Sequence, residues 1–163
     1  MRVYRGQKEW QPDMEITAPS LRHAFGHDPV LMTDQLLLMT SGLVLHADSG
    51  DEQARSALED RLLHMQFSRY ENPYVSCSYL WHIAHSFACA RDTPGYILTI
   101  EGEPAGGLDY ESVRRRHRMY SDTVGHLAEF GIPRRVVGSG FVLTRVEYVK
   151  HHTEGSEVVY SCA

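Results

Sequence analysis

The chain has few cysteines and no long apolar run, and both features exclude whole classes of protein. Its 163 residues include three cysteines, Cys77, Cys89 and Cys162, an odd number without CxxC spacing. Disulfide frameworks and zinc ribbons use paired cysteines, so we predict three reduced thiols. The apolar run 36–39 is followed at once by Thr40-Ser41-Gly42. Because a membrane-spanning helix needs about 20 apolar residues, we expect no membrane contact.

A signal peptide is also absent from the given N-terminus, because Met1-Arg2-Val3-Tyr4-Arg5 lacks an apolar stretch. We expect a cytoplasmic protein, or one delivered into a target cell without a classical signal. The length and the 42% hydrophobic content fit one globular domain over residues 1–163. The net charge is −5, yet eight of the sixteen Lys and Arg lie in the last 63 residues, which indicates a basic face.

Hydrophobic periodicity predicts an α+β fold, with helices mainly in the N-terminal half and strands in the second. Asp28 and Asp51 are the predicted N-caps of two helices, the first with Pro29 at its first position. A short exposed helix is predicted within 110–120. Gly131-Ile132-Pro133 is expected to stop a strand. The predicted strands cover residues 2–5, 74–78, 96–100, 126–130, 141–149 and 157–160.

A Ser-x-Ser pair stands where a strand meets a helix. Side chains on a strand repeat every two residues, so Ser76 and Ser78 face the same side and Cys77 faces the core. Ser78 is placed to cap the first turn of the following helix. That helix is predicted to be buried through the apolar stripe Leu80, Ile83, Ala84, Phe87 and Ala88.

Arg5-Gly6, Ser76-x-Ser78 and Glu129 together resemble the ordered motifs of the cholera-toxin-like mono-ADP-ribosyltransferases. Val3-Tyr4-Arg5-Gly6 looks like the first motif of that family. Tyr74-Val75-Ser76-Cys77-Ser78 is similar to its Phe-Val-Ser-Thr-Ser. Glu129-Phe-Gly-Ile-Pro is similar to its catalytic glutamate strand. The resemblance covers most of residues 2–147 and implies a mixed, split β-sheet core of the ADP-ribosyltransferase type.

The resemblance also implies an enzyme that takes NAD as substrate and transfers ADP-ribose to a macromolecular acceptor, either protein or nucleic acid. Glu129 would stabilise the oxocarbenium-like transition state, and Arg5 would hold ribose and phosphate oxygens. Ser76 would orient Glu129, while Ser78 would brace the strand–helix junction. Gly6 would let the backbone approach the nicotinamide amide. Such domains are often bacterial toxins or effectors, which implies an immunity protein as a further partner.

One departure leaves the acceptor open. Leu127 stands two residues before Glu129, where arginine-modifying members usually have glutamate and several others have glutamine. An NAD glycohydrolase and a non-catalytic module that binds NAD or ADP-ribose are therefore alternatives. Two interpretations fit the arginines at 114, 115, 116, 118, 134 and 135. They form a solvated basic face, or they bind an anion, which would be the NAD diphosphate or a polyanionic acceptor.

Two histidine pairs have helical spacing for metal ligands, but neither predicts a metal site. Gly26 interrupts His23-x-x-x-His27, and His82-x-x-His85 has no third ligand nearby in the sequence. Cys77 and Cys89 are interpreted as core residues, because a nucleophilic cysteine needs a nearby base and neither the spacing nor the apolar setting of Cys89 indicates a stabilised thiolate.

Overall fold

The computed structural model describes residues 1–23, 28–103, 105–119, 128–153 and 155–162. The fold is α+β, as predicted, and four of the five described helices lie in the first 90 residues. The helices are α1 (Pro19–Arg22), α2 (Pro29–Asp48), α3 (Glu52–Phe67), α4 (Trp81–Ala88) and α5 (Tyr110–Arg116). The strands are β1 (Arg2–Gln7), β2 (Tyr74–Ser78), β3 (Gly95–Gly102), β4 (Leu108–Asp109), β5 (Glu129–Pro133), β6 (Phe141–Val149) and β7 (Glu157–Ser161).

The seven strands form one sheet in the order β4-β5-β2-β1-β3-β6-β7. Every described pairing is antiparallel, so the predicted mixture of strand directions is wrong. The pairing between β1 and β2 is short, because these strands are in register only at Tyr4 and Ser78. The flanking pairs are longer: β1 with β3 has six registered positions and β2 with β5 has five.

The main core lies on one face of this sheet. Paired residues of antiparallel strands project from the same face, and the register places Val3 and Leu98 on the face that carries Cys77. Phe130 of β5 and Phe141 of β6 are far apart in the strand order, yet their ring centroids lie 6.0 Å apart. The sheet therefore curls, and its two halves pack together across this core.

Helix α4 packs on the opposite face, and glycine in β1 permits its close approach. A Cβ added at Gly6 would lie 1.9 Å from the Ala84 carbonyl oxygen, and one at Gly95 would lie 2.0 Å from that of Ala88. Gly6 stands inside β1, which continues to Gln7 instead of ending at the glycine. Helix α4 is thus in close contact with Gly6, and the predicted approach of the nicotinamide amide to Gly6 stays a prediction.

The predicted caps of the two long helices are confirmed. The Asp28 carboxylate accepts the Val30 N–H at 3.0 Å, with Pro29 in the first turn of α2. The Asp51 carboxylate accepts the Gln53 N–H at 3.0 Å at the start of α3. Both caps satisfy N–H groups that have no partner within the helix.

Three predicted elements differ in detail from the structure. Strand β5 runs through Gly131 to Pro133 instead of ending before Gly131. Residues 126 and 127 of the predicted strand lie outside the described residues. One side of helix α5 is buried, and its buried residues are Tyr110, Val113 and Arg114. The prediction of an exposed helix is therefore wrong. Helix α4 begins at Trp81, and its buried face is reduced to Ala84 and Ala88.

Helix α2 is long and apolar enough to cross a membrane by length and composition alone, a test that core helices of water-soluble proteins also pass. The helix continues through Thr40 and Ser41, the polar residues that end the apolar run 36–39. Their hydroxyls donate to the carbonyl oxygens of Leu36 and Leu37, each at 2.8 Å, so these polar groups are satisfied within the helix. The expectation of no membrane contact stays a prediction.

Candidate functional site

Strands β2 and β5 bring the serines and the glutamate to one face of the sheet. Ser78 is registered opposite Glu129, and Ser76 is registered opposite Gly131. Because these pairs project together, Ser76, Ser78 and Glu129 form one polar patch. Cys77 points to the other face and is buried in the main core, as predicted.

Glu129 is held by Ser76. The Ser76 hydroxyl donates to Glu129 Oε1 at 2.9 Å. Burial raises the pKa of the Glu129 carboxyl above its usual value, and the Ser76 bond and the Arg114 charge act in the opposite direction. The site therefore holds a half-buried carboxylate of fixed orientation.

Arg5 lines the same cleft and contacts the backbone of Ser76. By register with Leu98 it projects with Cys77, yet its Nη1 donates to the Ser76 carbonyl oxygen at 2.8 Å. Its Nε donates to Gln7 Oε1 at 2.9 Å. Burial lowers the pKa of the Arg5 guanidinium, and two further cations, Arg22 and Arg69, add to this effect. The structure thus joins Arg5 and Ser76 directly, and Ser76 to Glu129.

Gly6 and Ser78 line the same cleft. Ser78 Oγ accepts the N–H of Leu80 at 3.1 Å, immediately before α4. Leu80 is the N-cap residue of this helix, and no side chain caps the helix. The predicted cap by Ser78 is therefore wrong. Its hydroxyl supports the strand–helix junction instead. Gly6 lies against α4, as described above.

The cleft that these residues line has a volume of about 470 Å³. Ile83 and Phe87 of α4 form an apolar wall, and Phe87 is 53% exposed. The apolar stripe predicted to be buried in α4 is therefore divided between the sheet and this wall. An exposed aromatic ring beside a carboxylate is suited to stacking against a planar ligand group.

Two arginines that the sequence did not single out stand at the cleft, Arg22 at the end of α1 and Arg69 after α3. Partial desolvation and the charge of Arg69 lower the pKa of the Arg22 guanidinium. Within the described chain no carboxylate forms an ion pair with Arg5, Arg22 or Arg69. Three guanidinium groups without a described carboxylate partner at one cavity are suited to binding an anion.

Tyr110 is a further cleft residue that sequence reasoning missed. Its side chain is completely buried, and its hydroxyl has no hydrogen-bond partner within the described ranges. Burial and the nearby Glu129 raise the pKa of this hydroxyl well above its usual value. The group is therefore a neutral donor beside the carboxylate. No sequence signal distinguished it from an ordinary core tyrosine.

The arginine-rich segment lies largely outside the cleft. Arg114 is buried over the Tyr110 ring, 5.5 Å from its centroid. Four other arginines form exposed ion pairs: Arg115 with Glu111, Arg116 with Asp48, Arg134 with Asp34 and Arg135 with Glu15. Arg134 and Arg135 also line an open pocket of about 790 Å³, and residues of α2 line the same pocket. Their predicted role toward a polyanion stays a prediction.

Leu127, the departure from the family pattern, lies outside the described residues, as does the second histidine of the 23/27 pair. No protein-family model, curated protein or solved structure matches this chain. The geometry of the cleft is therefore the structural basis for a functional proposal, beside the sequence resemblance.

Proposed function

We propose that the protein has an ADP-ribosyltransferase-type fold and is an NAD-dependent mono-ADP-ribosyltransferase of the toxin or effector kind. The observation that carries the proposal is the chain of contacts from Arg5 to Ser76 to Glu129 at the edge of a single cleft. An oriented carboxylate, three guanidinium groups and an exposed apolar wall match the parts of NAD: a ribose, a diphosphate and flat rings.

The reaction begins with cleavage of the bond between the ribose C1′ and the nicotinamide nitrogen. The electron pair of that bond passes to the ring nitrogen, so nicotinamide leaves neutral and needs no general acid. Positive charge develops on the ribose, where the Glu129 carboxylate stabilises it. A nucleophilic atom of the acceptor then bonds to C1′ and loses its proton to solvent or to the carboxylate.

The other residues position the substrate. Arg5 and the cleft arginines Arg22 and Arg69 bind the diphosphate, because guanidinium forks match phosphate oxygens. Ser76 keeps Glu129 in the orientation that the ribose requires. Phe87 supplies a ring against which a base can stack.

Incubation of the full chain with NAD tests this proposal through nicotinamide release. We expect turnover by the natural protein and a loss of at least about 100-fold for Glu129→Gln, since removal of one charged stabilising group costs about that much. Glu157→Gln, on the exposed edge strand β7, is the matched control and should keep full activity. Equal rates for the natural protein and Glu129→Gln would overturn the assignment.

An NAD glycohydrolase is the second candidate, favoured by Leu127 where acceptor-binding residues stand in the family. Mass spectrometry separates the two. Transfer adds ADP-ribose to a protein or nucleic acid acceptor, whereas hydrolysis yields free ADP-ribose. Binding of NAD without any turnover would instead support a non-catalytic module. An acceptor, an immunity partner and delivery into a target cell remain part of the proposal through the family resemblance alone.

A further inference from the structure

Three side chains with metal-ligating atoms meet on the far side of α4 from the cleft. His85 and Cys89 are one helical turn apart at the end of α4, so they project from the same side. His152 stands in the turn between β6 and β7. One ligand atom of each residue lies within 4.8 Å of those of the other two. The sequence did not predict this group because its third member is distant along the chain.

The surroundings of the three residues are closed on one side and open on the other. Cys89 is completely buried in an apolar cluster with Ala84, Ala88, Ile97 and Val149. His85 is half-buried beneath the Trp81 ring, with centroids 5.1 Å apart, and His152 is exposed. A metal ion could enter from the exposed side, at His152, and lie against the apolar cluster that contains Cys89.

Two charged side chains stand near Cys89, one positive and one negative. Lys8 Nζ donates to the carbonyl oxygens of Ala88 and Ala90 at 2.8 and 2.6 Å, which fixes an ammonium group beside Cys89. Asp92, which lies 3.8 Å from His151, adds a negative charge near the site.

We propose that His85, Cys89 and His152 bind a Zn²⁺ ion. One sulfur and two imidazole nitrogens form a donor set suited to zinc, whereas Mg²⁺ and Ca²⁺ prefer oxygen ligands. The Cys89 thiol gives up its proton to solvent as the sulfur–zinc bond forms, and a water completes the tetrahedron. The ion ties α4 to the β6–β7 turn. Because Phe87 of the same helix lines the cleft, the metal stabilises one cleft wall without touching the reacting groups.

The test uses the full chain after removal of metal by a chelator, titrated with Zn²⁺ against a chromophoric competitor. We expect one tight equivalent and a rise in Tm of about 5–10 °C at a hundredfold excess over Kd. Replacement of Zn²⁺ by Co²⁺ should give the thiolate-to-cobalt absorption of a tetrahedral site. Failure to bind one equivalent would overturn the proposal, whatever the result with NAD, since the metal site does not depend on the proposed activity.

Matched variants identify the ligands. His152→Ala changes an exposed residue and should preserve the fold while weakening Zn²⁺ binding at least about 10-fold, and Cys89→Ser should do so and abolish the cobalt–thiolate band. His151→Ala and Cys162→Ser, the neighbouring histidine and the exposed cysteine, should bind as the natural protein does. Unchanged affinity in His152→Ala, or loss in either control, would overturn the assigned ligand set.

Discussion

Ser76 donates its hydroxyl hydrogen bond to Glu129 Oε1 at 2.9 Å, although the residue registered opposite Glu129 in the sheet is Ser78. The contact is therefore a diagonal one across β2 and β5. A hydroxyl two residues along the strand reaches Oε1 of the carboxylate, and no described residue forms a hydrogen bond with Oε2. The proposed chemistry depends on this arrangement.

Removal of the Ser76 hydroxyl is expected to lower the rate of nicotinamide release. A hydrogen bond to a charged group contributes about 1.5–3 kcal/mol, so Ser76→Ala should lose roughly tenfold to hundredfold in kcat with little change in Tm. Ser86→Ala is the matched control, because its hydroxyl contacts only the His82 carbonyl oxygen on the exposed side of α4. Natural rates in Ser76→Ala would show that Ser76 does not position the carboxylate.

Neutralisation of Glu129 is expected to leave the fold equally or more stable at neutral pH. Its pKa is raised in the folded chain, so the stability it contributes is present below the unfolded pKa, about 4.3, and is lost as pH rises through the folded value. Glu129→Gln avoids the cost of an ionised buried carboxylate and keeps an acceptor for Ser76.

Thermal unfolding as a function of pH checks this expectation. The Tm of Glu129→Gln should equal or exceed that of the natural protein at pH 7, and the difference should shrink as pH falls through the raised folded pKa and be gone below about 4.3. Glu157→Gln on β7 should show no comparable trend. A Tm several degrees lower at pH 7 would mean that the carboxylate charge stabilises the fold, contrary to the direction of its pKa.

Substitution of Gly6 by alanine is expected to destabilise the protein, because the new Cβ would meet the Ala84 carbonyl oxygen at 1.9 Å. Overpacking of this kind costs about 1–3 kcal/mol, or a Tm loss of several degrees in a chain of this size. Gly42→Ala in α2 is the matched control, since nothing lies within 4 Å of its added Cβ and alanine favours helix. It should raise Tm, and equal Tm values for the two variants would contradict the close packing of α4 on β1.

Loss of the cleft arginines is expected to weaken NAD binding more than catalysis. Arg22→Ala and Arg69→Ala should each raise KM for NAD about tenfold, the size of one charge-assisted hydrogen bond, with kcat less affected. Arg115→Ala, which removes a guanidinium exposed outside the cleft and paired with Glu111, should leave KM unchanged. An equal effect of Arg115→Ala would show that the diphosphate binds along the arginine-rich segment instead.

Much of the local structure follows from short-range rules. The caps at Asp28 and Asp51 were predictable because an aspartate before a helical run satisfies the free N–H groups of the first turn. The common face of Ser76 and Ser78 was predictable from the two-residue period of a strand. The burial of Tyr110 was not, because an arginine-rich segment with little apolar periodicity looks like a solvated helix.

The sequence by itself determined the α+β composition, the two helix caps, the strand that presents two serines together, and the order in which Arg5, Ser76 and Glu129 occur. Tertiary structure alone decided that every described strand pair is antiparallel, that Arg5 donates to the Ser76 carbonyl oxygen, and that Arg22 and Arg69 stand at the cleft. The reason is physical: caps and alternation depend on neighbours along the chain, whereas strand register and the meeting of distant loops depend on packing of the whole sheet.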